Sequence, residues 1–124
     1  MFRSRRKNVS VLAFAGVTLA AAVWLRPSPR AQGQVREFTV EGNQFAFSPA
    51  RIEVQKDDLV KVTFTARDMA HSFTVDEYRI AKRAGAGQTV VFEFRADRSG
   101  PFTYYCNLSQ SDKCRQMKGH LEVR

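Results

Sequence analysis

Val60-Lys61-Val62-Thr63-Phe64-Thr65-Ala66 and Val90-Val91-Phe92-Glu93-Phe94-Arg95-Ala96 are the two stretches from which the fold is read. In the first, Val60, Val62, Phe64 and Ala66 alternate with Lys61, Thr63 and Thr65; in the second, Val90, Phe92, Phe94 and Ala96 occupy every other position. Successive side chains of a strand point to opposite faces, so each stretch reads as a strand with one face in a core and the other toward water. An amphipathic helix would repeat near 3.6 residues instead. Shorter stretches of the same character lie at 37–40, 52–54, 71–75, 102–106 and 120–124. Turn chemistry separates them: Glu41-Gly42-Asn43, Ser48-Pro49, Lys56-Asp57-Asp58, Ala84-Gly85-Ala86-Gly87 and Arg98-Ser99-Gly100-Pro101. After residue 34 no long stretch shows helical periodicity. Short strands at this spacing predict an all-β fold, an antiparallel sandwich or barrel.

Upstream, the chain changes in kind. Arg3, Arg5, Arg6 and Lys7 precede an uncharged, mainly apolar run over residues 9–25, followed by Arg26-Pro27-Ser28-Pro29-Arg30-Ala31-Gln32-Gly33. A basic head before such a run reads as an export segment. Two outcomes stay open: a signal peptide cleaved after Ala31, although Pro29 stands where a small residue is wanted, or an uncleaved anchor with its basic end in the cytoplasm. The expected division is therefore 1–34 for the signal or membrane anchor plus linker and 35–124 for the domain. In either case the domain is exported, to the periplasm or another extracytoplasmic space.

The formal charge is +8, but six of the 20 basic residues fall in the first 31 positions and all 12 acidic residues come later. The domain itself is close to neutral, which removes the basis for a nucleic-acid partner. Its length suits one modest core.

The chemistry-bearing residues are concentrated near the C-terminus. Tyr104-Tyr105-Cys106 is followed by a seven-residue loop and then by Cys114-Arg115-Gln116-Met117-Lys118-Gly119-His120-Leu121, with Asp68-Met69-Ala70-His71-Ser72-Phe73 about 35 residues earlier. Two thiols, a thioether and an imidazole are ligands that copper selects over harder cations. Parity places Phe102, Tyr104 and Cys106 on one strand face, Met117, Leu121 and Val123 on another, and His71, Phe73 and Val75 on a third. His71, Cys106 and Met117 each end such an apolar row and should point inward at one rim of the core, whereas His120 should face water. The candidate metal ligands are His71, Cys106, Cys114 and Met117, holding a single copper ion.

These residues resemble the cupredoxin superfamily. The likeness runs from about Phe38 to the C-terminus and includes Phe45-x-Phe47-x-Pro49-x-x-Ile52-x-Val54, Asp68-x-x-His71-Ser72-Phe73, Tyr104-x-Cys106 and Met117-x-Gly119-x-Leu121-x-Val123. Within the superfamily it is most similar to the copper-A type domain of cytochrome c oxidase subunit II and nitrous oxide reductase. The resemblance implies a Greek-key sandwich and electron transfer with a redox partner such as a cytochrome or an oxidase. It implies no catalysis by this chain alone, because the oxygen chemistry of the oxidase resides in another subunit. Where copper-A domains carry Cys-x-x-x-Cys-x-x-x-His-x-x-Met, this chain has Cys106, then Gln110, then Cys114, then Met117. Gln110 cannot bridge two coppers as a thiolate does, so one ion is expected rather than two.

Two rivals stand beside the electron-transfer reading. Two cysteines in an exported protein form a disulfide by default, and a Cys106–Cys114 bridge would stabilise a metal-free domain by about 2–3 kcal/mol. A site with two thiolates would also suit a Cu(I) carrier. The acidic residues show no catalytic pairing, and no serine or cysteine has an evident partner histidine, so hydrolysis has no support.

Overall fold

The computed structural model of the chain describes residues 13, 15–17, 23–26 and 33–124. Nine strands form two sheets: β1 (Val35–Asn43), β2 (Ala46–Ser48), β3 (Arg51–Val54), β4 (Leu59–Ala66), β5 (His71–Val75), β6 (Ile80–Ala84), β7 (Thr89–Arg95), β8 (Gly100–Tyr105) and β9 (Lys118–Val123). A 3-10 turn, Asp76–Tyr78, follows β5, and one short helix, α1 (Asp112–Gln116), lies between β8 and β9. The first sheet runs β2-β1-β4-β7 and the second β3-β9-β8-β5-β6. This is the expected all-β sandwich.

Alternation sets which side chains fill it. On β4, Val60, Val62, Phe64 and Ala66 are wholly buried, and the residues between them are half-buried. Phe92 of β7 enters the same core opposite Val62. From the second sheet Phe73, Val75, Tyr104, Leu121 and Val123 pack against them. An aromatic group forms the centre: Phe73 stacks on Tyr104 with ring centroids 4.7 Å apart, and Phe47, Phe64 and Phe92 surround Phe73 at 5.4–6.1 Å. Offset and edge-on pairs of this kind add to simple burial.

The sheets are mixed rather than purely antiparallel, because β1 pairs parallel with β4 and β3 parallel with β9. A period of two tells which face a residue occupies but says nothing of strand direction. Direction follows from how often the chain crosses between sheets: β2 belongs to the first sheet, β3 to the second, and β4 returns to lie beside β1. Three elements lack a strong sequence signal. β2 is only three residues long, α1 only five, and β6 reads Ile-Ala-Lys-Arg-Ala, with Ile80 and Ala84 buried and the three between exposed. β6 is an edge strand, and its Lys82 and Arg83 discourage pairing with another chain.

Of the apolar run at 9–25, residues 9–12, 14 and 18–22 lie outside the described residues. The others belong to no helix or strand, and Val17, Val23, Trp24 and Leu25 are exposed. Among the described residues no helix is long and apolar enough to cross a membrane.

One buried charge ties the start of β1 to the turn before β4. The Asp58 carboxylate is 2 % exposed and accepts from the backbone N–H groups of Gln34 and Gln55, both at 2.9 Å, and from Arg36 Nε at 3.4 Å. Burial pushes its pKa up, but the N–H groups of Gln55 and Gln34 and the Arg36 guanidinium outweigh burial, and the net direction is down. A carboxyl held lower in the folded than in the unfolded state contributes stability that is present above its unfolded value and is lost as pH falls through its folded one. Asp58→Asn is expected to cost about 1–2 kcal/mol at neutral pH. It should also flatten the acid limb below about pH 4, where the wild type loses the contribution. Urea titrations from pH 2.5 to 7 measure both; parallel acid limbs for the two proteins would show that Asp58 plays no such part.

Candidate metal centre

The four expected ligands come from three segments at one end of the sandwich. His71 opens β5, Cys106 directly follows β8, Cys114 lies on α1, and Met117 sits between α1 and β9. All four are buried, none more than 2 % exposed. His120 is exposed, as its parity requires.

Backbone contacts gather the segments. Cys106 donates its N–H to the Met117 carbonyl at 3.3 Å, and Met117 donates to the Cys114 carbonyl at 3.1 Å. The helix that carries Cys114 starts on Ser111, whose hydroxyl accepts from the Lys113 N–H at 3.2 Å, with Asp112 in its first turn. An N-cap hydroxyl and an early acid suit a helix start. His71 and Met117 meet across Gly42 of β1: a Cβ placed there would lie 3.1 Å from His71 Cδ2 and 3.1 Å from Met117 Cε. Glycine at this position lets imidazole and thioether close on the same strand.

The residues following two of the ligands clasp each other. Ser72 Oγ donates to Asn107 Oδ1 at 2.7 Å and accepts from the Asn107 N–H at 2.8 Å, fixing the chain after His71 against the chain after Cys106. Gln110 is exposed, and its Nε2 donates to the Ala70 carbonyl at 2.8 Å, tying the loop to the residue before His71. It is thus a strap across the end of the sandwich.

Cys106 and Cys114 are joined as a disulfide with Cα atoms 5.2 Å apart, and the described residues contain no free cysteine. This is the bridged arrangement that competes with ligation in the sequence. Among the described residues no group of three or more His, Cys, Asp and Glu side chains gathers that could hold a metal ion. With the sulfurs bonded to each other, the donors left at this pole are one imidazole nitrogen and the Met117 thioether.

The imidazole is oriented by Asp68, whose role does not show in the sequence. Asp68 Oδ1 lies 2.7 Å from His71 Nε2, while Asp68 Oδ2 accepts from the Gln44 N–H at 3.0 Å. Burial raises the Asp68 pKa, but its bonds to His71 and to backbone N–H groups bring the net direction down, so it is a carboxylate. A carboxylate accepts only, which assigns a ring proton to Nε2; in the neutral imidazole the lone pair then lies on Nδ1. That Nδ1 is buried and has no hydrogen-bond partner. Phe45 stands edge-on to the ring at 6.0 Å and adds to its apolar enclosure. The signal for Asp68 was its i,i+3 spacing to His71, visible only once a tight turn before β5 is assumed.

A family model described as cupredoxin-like domain matches residues 15–123. No curated protein matches the chain. Among solved structures, the metal-binding domain of the Streptococcus pneumoniae Cu(I)-exporting P-type ATPase, crystallised with Cu(I), is similar with a TM-score of 0.62 at 18% identity, covering 73% of this chain and 86% of that one. The periplasmic domain of cytochrome oxidase subunit II from Bradyrhizobium japonicum is similar with a TM-score of 0.63 at 15% identity, covering 71% and 83%. Dithionite-reduced auracyanin from Roseiflexus castenholzii gives 0.61 at 17%, covering 74% and 99%. At such identities the likeness concerns the fold.

Proposed function

The chain belongs to the cupredoxin-like domain family, and from that premise we propose that it is an exported copper-binding electron-transfer module whose metal pole is His71, Cys106, Cys114 and Met117 in the dithiol state. The observation that carries this reading is the His71 imidazole. An unpartnered polar atom in a core costs about 1–3 kcal/mol, yet Nδ1 is buried without a partner while Nε2 is fixed by Asp68. A carboxylate holding the far nitrogen of a histidine is the usual support of a metal-ligating imidazole. The donor set of one imidazole nitrogen, one thioether and two thiolates fits copper, and Cu(I) in particular.

Copper at this pole would supply one-electron transfer. The chain's own residues hold the donors still: Asp68 orients His71, Gly42 lets His71 and Met117 approach, and the Ser72–Asn107 clasp fixes the two segments on which His71 and Cys106 lie. Similarity to a metal-binding domain crystallised with Cu(I) and to a periplasmic oxidase domain supports copper and export. The basic head and apolar run at 1–34 act, in this proposal, as signal peptide or anchor. In this proposal the chain exchanges electrons with a redox partner protein such as a cytochrome or an oxidase.

The Cys106–Cys114 bridge favours a second reading, a metal-free domain closed by a disulfide. The two readings separate on one experiment. The full chain is purified, its thiols are counted before and after treatment with a dithiol reductant, and each form is titrated with Cu(I) after the reductant is removed under anaerobic conditions. The expected result is weak copper binding by the oxidised form and one tightly held copper per chain in the reduced form. Asp68→Ala should weaken that binding about 10–100-fold. A reduced protein that holds no copper leaves the metal-free reading. Tight Cu(I) binding without a reversible Cu(II) form indicates a carrier rather than an electron-transfer module.

A further inference from the structure

The outer face of the second sheet carries a groove of about 560 Å3 lined by Thr103, Tyr105, Asn107, Arg115 and Lys118. Its place is set by the fold. Asn107 immediately follows Cys106, Arg115 follows Cys114, and Lys118 follows Met117, so three of the lining residues are chain neighbours of buried residues at the pole. Tyr105 lies opposite Lys118, and Thr103 opposite His120, across β8 and β9.

The groove is rich in donors and has no acidic lining residue. Arg115 and Lys118 are exposed, and neither has an ion-pair partner among the described residues. By contrast Arg36, Arg51, Lys61, Arg67 and Arg124 all face carboxylates. Asn107 uses Oδ1 and its N–H on Ser72, and its Nδ2 makes no hydrogen bond among the described residues. One lining residue engages a carboxylate: the Tyr105 hydroxyl donates to Asp76 at 2.9 Å. Between residues 107 and 119 three cations, Lys113, Arg115 and Lys118, stand against one acid, Asp112. Lys113 is held apart, over the Phe45 ring at 5.6 Å.

We propose that this groove is the docking surface for a carboxylate-rich segment of a partner protein, seated on Arg115, Lys118 and Asn107 directly beside the pole. Charge complementarity identifies the occupant: the Arg115 guanidinium, the Lys118 ammonium and the free Nδ2 of Asn107 are all donors, and carboxylates are acceptors only. The groove lies on a sheet face and offers two charges side by side rather than a cage, which matches an extended acidic segment better than a small enclosed anion. Opposite charges at such a rim steer encounter and fix orientation. The proposal does not depend on copper, since it concerns residues already exposed in the disulfide form.

The test uses the isotope-labelled full chain in its disulfide form, titrated with hexaglutamate and followed by amide chemical shifts. Saturable shifts are expected at Asn107, Arg115 and Lys118, absent with hexaglutamine and suppressed in 1 M salt, where the Debye length is about 3 Å. Arg115→Glu with Lys118→Glu should weaken binding about tenfold or more. The Arg115→Gln and Lys118→Gln variants give a milder form of the test if the charge reversals unfold the chain. Lys56→Glu, in the turn at the other end of the sandwich, should leave binding unchanged. Affinity that ignores the reversal, or shifts that move to Lys82 and Arg83 on β6, would overturn the proposal. So would citrate binding as tightly as the peptide, which would indicate a small-anion site.

Discussion

Gly119→Ala is expected to destabilise the domain by about 3 kcal/mol, at the upper end of what overpacking a core costs. Gly119 lies opposite Tyr104 across β8 and β9, and a Cβ there would fall 2.1 Å from ring atoms Cε2 and Cζ. The ring has no room to withdraw. It is fully buried, stacked on Phe73 at 4.7 Å and set against Phe47 at 5.1 Å, while its hydroxyl donates to the Pro49 carbonyl at 2.8 Å. Burial drives the Tyr104 pKa well above its ordinary value, so the hydroxyl remains a neutral donor. The same substitution in a Tyr104→Leu background should cost much less, because the collision is then removed. Thermal unfolding of the four proteins in this cycle measures the coupling, at about 4–8 °C per kcal/mol for a domain of this size. Equal costs of Gly119→Ala in both backgrounds would show that the ring is not what forbids the side chain.

Cys114→Ala is expected to cost about 2.5 kcal/mol, the loop-entropy figure for a bridge spanning eight residues. The melting temperature should fall by about 10–20 °C. The bridge closes the segment that also carries the Ser72–Asn107 clasp, the Gln110 strap and α1. Amide exchange should therefore rise first across residues 107–117 while β4 stays protected. Reductant should lower the wild-type midpoint toward that of the variant and leave the variant unmoved. A wild type indifferent to reductant, with a midpoint matching Cys114→Ala, would show that the bridge contributes nothing. Copper added to the reduced wild type should restore stability, since a ligand bound only by the folded state raises its apparent stability.

The site was partly legible in the chain. Parity alone sent His71, Cys106 and Met117 inward and His120 outward, because side-chain direction on a strand is a local property. Cys114 enters the candidate set by residue type and spacing, yet it is buried on a helix too short to show a period. The role of Asp68 is not legible in the chain, since its bond to His71 exists only after the turn before β5 brings the two together. Gly42 reads as a turn residue in the sequence but lies within β1, and its contacts with His71 and Met117 come from distant segments of the chain. Gln110 stands where the copper-A resemblance implies a cysteine, but its amide reaches Ala70, forty residues away.

What the chain determined by itself was face: the repeat of apolar residues chose strands, their inward sides and the sandwich, since burial acts on each side chain where it stands. Strand direction, the mixed sheets and the company kept by His71 belonged to the tertiary structure, because they depend on which distant segments cross and meet. The closeness of Cys106 and Cys114 belonged there too. Two residue names allow a bridge or a pair of ligands, and only the fold brought their Cα atoms to 5.2 Å in the bonded form.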